Sequence, residues 1–303
     1  MSAGADLRTE VQSSAWTVLS LLRWAERYLT ERGFDEARLH VELLLAHVLD
    51  VGRLQLYLQF DRPLTAEELA QFKELFLRRT RHEPLQYILG ETLFMGLPIS
   101  VDRRVLIPRP ETELLVEAVI NAEKGWGDAR NIEILDVGTG SGNVAIALAR
   151  FLPTAAVTSI DRDRDALAVA ESNAQRNHVP GIRFIECDLL SGQLPAGDFD
   201  VIVSNPPYVS EEEFASLQPE IREFEPRYAV TDGGDGLRFI RRIAALASEK
   251  LLPGGRVFLE IGYNQREAVT RILAEAGLES VAVRDDFAGN PRIASGRRSG
   301  AAT

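Results

Sequence analysis

One run limits the fold of this 303-residue chain more than any other: Phe199-Asp200-Val201-Ile202-Val203-Ser204, followed at once by Asn205-Pro206-Pro207-Tyr208. Its β-branched and apolar residues predict a buried strand. A proline has no N–H to give to a sheet ladder, so the double proline ends that strand. Asn205 then falls at a carboxyl-terminal strand edge, where open α/β sheets hold their ligands. Fixed φ angles at Pro206 and Pro207 stiffen the corner and preset the Asn205 amide and the carbonyl that follows it. A rigid amide oxygen, a free carbonyl and the Tyr208 ring make a socket for a planar group bearing an NH2. An isolated Asn-Pro-Pro is equally well explained as a plain turn, so the rest of the chain must decide.

The rest of the chain repeats the strand theme. Ile132–Val137, Ala156–Ile160, Ile182–Cys187 and Arg256–Ile261 read as further strands, with a last one near Ser280–Val283. Helical segments from Asn143, from Asp165, over Leu237–Leu252 and over Gln265–Ala276 separate them. This alternation predicts an α/β fold with a doubly wound, mostly parallel sheet. Upstream, residues 13–80 read as helices. Ser13 or Ser14 caps a segment with Val18, Leu22, Ala25 and Leu29 on one face, stopped by Gly33. Asp35 is the expected cap of a second, with Ala37, Val41, Leu44, Leu45 and Val48 inward. Thr65-Ala66-Glu67-Glu68 is a capping box that opens a third. Arg53–Phe60 is ambiguous.

Two short strands about Gly96 follow, and then Pro110 suits the first position of a helix. The expected domains are therefore a small all-α domain over 1–84, a β-hairpin linker over 85–105 and a larger α/β domain over 106–303. The helical domain reads as a docking module for a protein partner or as a stability cap. The acidic stretch Val209–Asp235 reads as a lid or as a solvated connection. The polar tail from Ser295 to Thr303 is expected to fray.

Charge and residue counts remove several classes of function. A formal net charge of −11 argues against a protein that grips nucleic acid through a broad basic face. Residues 1–80 are nearly balanced, with 10 Lys and Arg against 12 Asp and Glu, so the acidity lies in the later part. One cysteine, Cys187, excludes an internal disulfide and a multi-thiolate metal site. The histidines, at 40, 47, 82 and 178, form no metal-spaced pair. No basic-then-apolar leader opens the sequence and no uncharged stretch is long enough to span a membrane. A soluble, cytoplasmic protein without metal or membrane partner is expected.

Strand Ile132–Val137 runs into Gly138-Thr139-Gly140-Ser141-Gly142, where alternate glycines let backbone approach a ligand closely. The dinucleotide fingerprint wants a further glycine where Asn143 stands, so the fit to a pyrophosphate is imperfect. Asp136, just before the loop, favours a cation over a phosphate. The next strand ends at Asp161, about 20 residues on, where an acid can accept both hydroxyls of a ribose. The third ends at Asp188, beside the expected adenine position, followed by Leu189. Together these residues fit S-adenosylmethionine, whose sulfonium and amino groups are positive and whose ribose carries no phosphate. Taken singly each acid is as readily a cap or turn residue, and Asp163 and Asp165 are expected to be no more than that.

With the glycine loop and Asn205-Pro206-Pro207-Tyr208 both in place, the chain resembles class I methyltransferases that modify amide or exocyclic nitrogens. The resemblance sharpens over Leu106-Ile-Pro-Arg-Pro-Glu-Thr-Glu113 and Phe287-Ala-Gly-Asn-Pro-Arg-Ile293. Those stretches and the helical amino-terminal domain look like the peptide chain release factor glutamine N5-methyltransferases (the HemK/PrmC family), over residues 15–298. The resemblance implies a Rossmann-like fold that transfers a methyl group from S-adenosylmethionine, leaving S-adenosylhomocysteine. The acceptor would be the glutamine of the Gly-Gly-Gln loop of class I release factors, docked by the helical domain. Cofactor contacts are then expected at Asp136, Gly138, Thr139, Gly140, Ser141, Gly142, Asp161, Asp188, Leu189 and Asn205. Asn205, Pro206, Pro207 and Tyr208 would bind the substrate, with Asn205, Pro206 and Tyr208 catalytic and no strong general base. Leu189 departs from the aromatic residue that many members place there.

Two other readings use the same residues. An N6-adenine methyltransferase acting on DNA or RNA has the same socket but needs phosphate contacts, which the acidic charge disfavours. A non-catalytic module that binds release factors is disfavoured by the intact Asn205–Tyr208 corner.

Overall fold

A computed structural model describes residues 16–123, 131–192 and 194–300, and the chain divides between Leu89 and Gly90 into two compact units. In the first unit the described helices are α1 (Val18–Thr30), α2 (Ala37–Val48), α3 (Arg53–Tyr57), α4 (Ala66–Arg79) and α5 (Leu85–Leu89). Ser13 and Ser14 lie outside the described residues. Thr17 caps α1, its hydroxyl accepting the Ser20 N–H at 3.3 Å. The Thr65 capping box forms as read, with reciprocal bonds of 3.2 and 2.9 Å between Thr65 and Glu68. Asp35 does not cap α2. The chain enters that helix through a left-handed turn at Glu36 (φ 50°), so Asp35 stands one residue too early. The ambiguous stretch becomes the short helix α3, in which only Leu56 is fully buried. The apolar faces read from periodicity meet Phe72 and Phe76 in one core.

The second unit opens with the hairpin β1 (Glu91–Phe94) and β2 (Leu97–Ser100), which turns through Met95 and Gly96, both at positive φ. Among the described residues seven strands follow: β3 (Ile132–Val137), β4 (Ala155–Asp161), β5 (Arg183–Glu186), β6 (Phe199–Ser204), β7 (Leu251–Glu260), β8 (Leu278–Asp285) and β9 (Pro291–Arg298). They form one sheet in the order β5-β4-β3-β6-β7-β9-β8, parallel from β5 to β7, with β9 antiparallel to both neighbours. The chain winds outward from β3 to β5 and returns to lay β6 on the other side of β3. Strand order therefore reverses between β3 and β6, the place where such sheets open a crevice at their carboxyl ends.

The helices of this unit are α6 (Pro110–Glu123), α7 (Asn143–Phe151), α8 (Arg164–Arg176), α9 (Glu211–Phe214), α10 (Pro219–Phe224), α11 (Arg227–Val230), α12 (Arg238–Lys250) and α13 (Arg266–Glu275). Every residue of β6 is buried, as its apolar run requires. Residues 295–298 do not fray. They complete β9, where Ser295, Gly296 and Arg297 pair with Phe258, Val257 and Arg256 of β7. Small side chains suit that slot: a Cβ on Gly296 would lie 3.2 Å from the Cβ of Leu278.

Candidate active site

A cleft opens at the carboxyl ends of β3, β4, β5 and β6, all within the second unit. The glycine loop forms its floor. Gly138, Gly140 and Gly142 all have positive φ, a conformation that side-chain-bearing residues adopt at a cost. The Gly138 and Thr139 N–H groups donate to the Ile160 carbonyl at 2.8 and 3.0 Å, which ties the loop to β4. A Cβ built on Gly138 or Gly140 meets nothing within 4 Å, so the loop's outer side is open. Gly142 has a different reason to be glycine, since a Cβ there would stand 3.0 Å from that of Ala170 on α8. Asn173 of α8 is fully buried and holds the far side, donating to the Ser141 and Ser100 carbonyls, each at 2.9 Å. The hairpin and the glycine loop thus share one anchor.

The acids named from the sequence take three different positions. Asp161 lines the cleft at the end of β4, where its carboxylate accepts the Gly140 and Asp163 N–H groups at 2.9 and 3.0 Å. Burial raises its pKa and the Gly140 N–H opposes that rise. Asp188 also lines the cleft, and the Leu190 N–H and Ser191 hydroxyl hold it below the usual carboxylate range. Leu189 is buried beside it and supplies apolar wall. Asp136 is 1 % exposed and sits beneath the loop, where its carboxylate accepts the Ser159 hydroxyl at 2.6 Å. Ser159 in turn meets the Thr139 hydroxyl. Burial pushes Asp136 up to about 7. Asp163 caps α8 through the Asp165 N–H, as expected, and also receives the Tyr228 hydroxyl at 2.5 Å.

Asn205, Pro206 and Pro207 line the same cleft, opposite the carboxyl end of β3. The Ser204 hydroxyl donates to the Val137 carbonyl at 2.6 Å and locks the two strand ends together. Asn205 Nδ2 donates to Thr112 Oγ1 at 3.0 Å, while its Oδ1 accepts nothing among the described residues. Tyr208 does not line that cleft. Its hydroxyl donates to Glu260 Oε1 at 3.2 Å, and its carbonyl accepts the Gln265 side-chain amide at 2.9 Å. Burial and the nearby Glu260 charge both raise the phenol pKa, which keeps it a proton donor at neutral pH. Gly236 must be glycine here, because a Cβ at its φ of +75° would overlap the Tyr208 carbonyl oxygen at 2.2 Å.

Several wall residues escaped the sequence reading. Arg109 lines the cleft and pairs with Glu225, which also accepts the Ile107 N–H at 3.3 Å. Glu225 is buried, which raises its pKa, and Arg109 opposes the rise. Tyr228 and Ala229 line the cleft too, so part of the acidic stretch 209–235 packs as wall. Thr112 and Glu260 are each 1 % exposed. A charged residue ending the apolar run Val257-Phe258-Leu259 was the available signal for Glu260. Among the described residues no group of three or more His, Cys, Asp or Glu could hold a metal ion, and no helix is long and apolar enough to cross a membrane.

Comparison with known proteins fits this architecture. Residues 20–90 match the PrmC N-terminal domain and residues 110–223 the methyltransferase small domain. A release factor glutamine methyltransferase of Geobacter sulfurreducens is 42% identical over 93% of this chain and 97% of its own length. One from Chlorobaculum tepidum is 44% identical over 91% and 95%. The fold is shared with the hMettl16 catalytic domain, solved in complex with MAT2A 3'UTR hairpin 6, at 17% identity and a TM-score of 0.57 over 74% of this chain and 85% of that one.

Proposed function

The chain belongs to the release factor glutamine methyltransferase family, and on that premise we propose that it methylates N5 of the glutamine in the Gly-Gly-Gln loop of class I peptide chain release factors. The methyl donor in this reading is S-adenosylmethionine and the product S-adenosylhomocysteine. One observation carries it: the open amide oxygen of Asn205 stands at the edge of β6, on the cleft floored by the glycine loop.

The residues present suit that donor. Gly138 and Gly140 leave open the space that a side chain would fill, and with Thr139, Ser141 and Gly142 they would hold its methionine part. Asp161 would accept the ribose hydroxyls, giving up its bond to the Gly140 N–H in part. Asp188 and Leu189 would flank the adenine. Asp136 adds negative charge from beneath the loop, by way of Ser159. When bound, S-adenosylmethionine supplies an electrophilic methyl group.

An amide nitrogen is a poor nucleophile because its lone pair is delocalised into the carbonyl. Asn205 Oδ1 and the Pro206 carbonyl each accept one N–H of the substrate amide, which orients the nitrogen. The same two oxygens stabilise positive charge as it develops there. Tyr208, held by Glu260 at its hydroxyl and by Gln265 at its carbonyl, stands outside the cleft lining and would meet the amide plane only as the substrate glutamine passes the Asn205 corner. No general base is assigned, since Glu260 is already committed to two hydroxyls. The proposed division of labour gives substrate docking to the helical residues 1–84, a linking role to the 85–105 hairpin and chemistry to 106–303, in the cytoplasm where release factors work.

The test is to incubate the protein with methyl-labelled S-adenosylmethionine and, separately, a class I release factor, DNA and RNA. Label on the glutamine of the Gly-Gly-Gln loop is expected. Label on adenine instead would overturn the reading.

A further inference from the structure

Asparagine presents two ends of nearly equal size, and only one of them can receive a substrate NH2. Resting on the reading of Asn205 as that acceptor, we propose that Glu260 and Thr112 are positioning residues that fix which end faces the cleft.

The direction is set by a chain of donors and acceptors with a single consistent polarity. Glu260 is fully buried at the end of β7 and its two oxygens receive two hydroxyls, Thr112 at 2.7 Å and Tyr208 at 3.2 Å. An ionised carboxylate has only lone pairs to offer, so both hydroxyls spend their hydrogens on it. Thr112 then has nothing but lone pairs left for Asn205, 3.0 Å away, and only the NH2 end of the amide can meet them. The Asn205 oxygen is thereby turned to the cleft. The reversed amide would set its oxygen against the Thr112 lone pairs and its NH2 against the NH2 of the substrate. Two mismatches at once make that state costly in a part-buried site. The same carboxylate anchors Tyr208, so Asn205, through Thr112, and Tyr208 are both tied to Glu260. Burial raises the Glu260 pKa, and the Thr112 hydroxyl, the Arg292 charge and the Tyr208 hydroxyl oppose that rise in favour of the ionised form. Arg292 comes from the stretch 287–293 and is itself held by Asp286 at 3.3 Å.

The experiment compares Thr112→Val, Thr112→Ser, Glu260→Gln and Asn205→Ala in the full-length protein. It reads kcat and KM with a release factor, cofactor Kd by titration calorimetry, and Tm. Thr112→Val keeps the shape and removes the hydroxyl, so kcat is expected to fall at least about tenfold with cofactor Kd within about twofold. Thr112→Ser restores the hydroxyl and is expected to return kcat to within a few fold of the parent. In Glu260→Gln the new NH2 donates to Thr112, whose hydrogen then turns to Asn205 and invites the reversed amide. Its kcat is expected to fall at least as far. If Glu260→Gln does not fold, the Thr112 pair carries the test alone. Asn205→Ala inactive with Thr112→Val within twofold of the parent overturns the positioning role and leaves the socket standing. Equal losses in Thr112→Val and Thr112→Ser also overturn it, and an active Asn205→Ala removes the socket and the positioning role together.

Discussion

Asp136 shows how far a single residue can be read. Its place before the glycine loop was plain, because a strand followed by alternating glycines has few other solutions. Its side-chain direction was not, since that depends on Ser159 of the neighbouring strand, which pulls the carboxylate inward. The consequence is a pH-dependent stability. A carboxyl whose pKa is raised by folding to about 7 binds its proton more tightly folded than unfolded. Stability from this group is present at low pH and is lost as pH rises between the unfolded value, about 4, and about 7. Asp136→Asn removes that loss. The Tm advantage of Asp136→Asn over the parent is expected to grow from pH 5 to pH 8, by up to a few kcal/mol in stability. An advantage that does not change with pH would contradict this origin. The place of Asn205 at the strand edge was legible because two prolines fix the backbone around it. Thr112 and Glu260 were not, because their partners come from three distant stretches that only the folded sheet brings together.

Elements divided along the same line. The parallel strands β3 to β6 were found within a residue, since long apolar runs bounded by Gly and Pro are specified locally, whereas β7 begins at Leu251, five residues before the expected Arg256. β9 escaped the sequence reading altogether, because Ser295, Gly296 and the residues after them look like a loose polar tail. What makes them a strand is the gap between β7 and β8, which accepts small residues and supplies ladder partners on both sides. Those pairings make the strand a structural necessity: a chain ended at Asn290 leaves β8 without a partner and exposes Leu278. Such a truncation is expected to lose the cooperative unfolding of the second unit, followed by circular dichroism on heating. A truncated chain that melts like the parent would show that β9 is dispensable.

For the whole molecule, the proposed division of labour makes a separable forecast. Leu54 and Leu58 on and beside α3 are 82% and 86% exposed, an apolar pair with the partly exposed Tyr57 between them. If the helical residues dock the release factor, replacing both leucines by serine is expected to raise KM for the whole factor about tenfold. Turnover of a short Gly-Gly-Gln peptide would stay unchanged, because the socket lies elsewhere in the chain. Equal effects on both substrates would count against a docking role. The most direct measurement concerns the socket itself: single-turnover rate and cofactor Kd for Asn205→Ala beside the parent. A rate lowered at least about a hundredfold, with Kd within a few fold, is the expected result. A near-normal rate would contradict the proposal that the Asn205 oxygen presents the amide nitrogen for methylation.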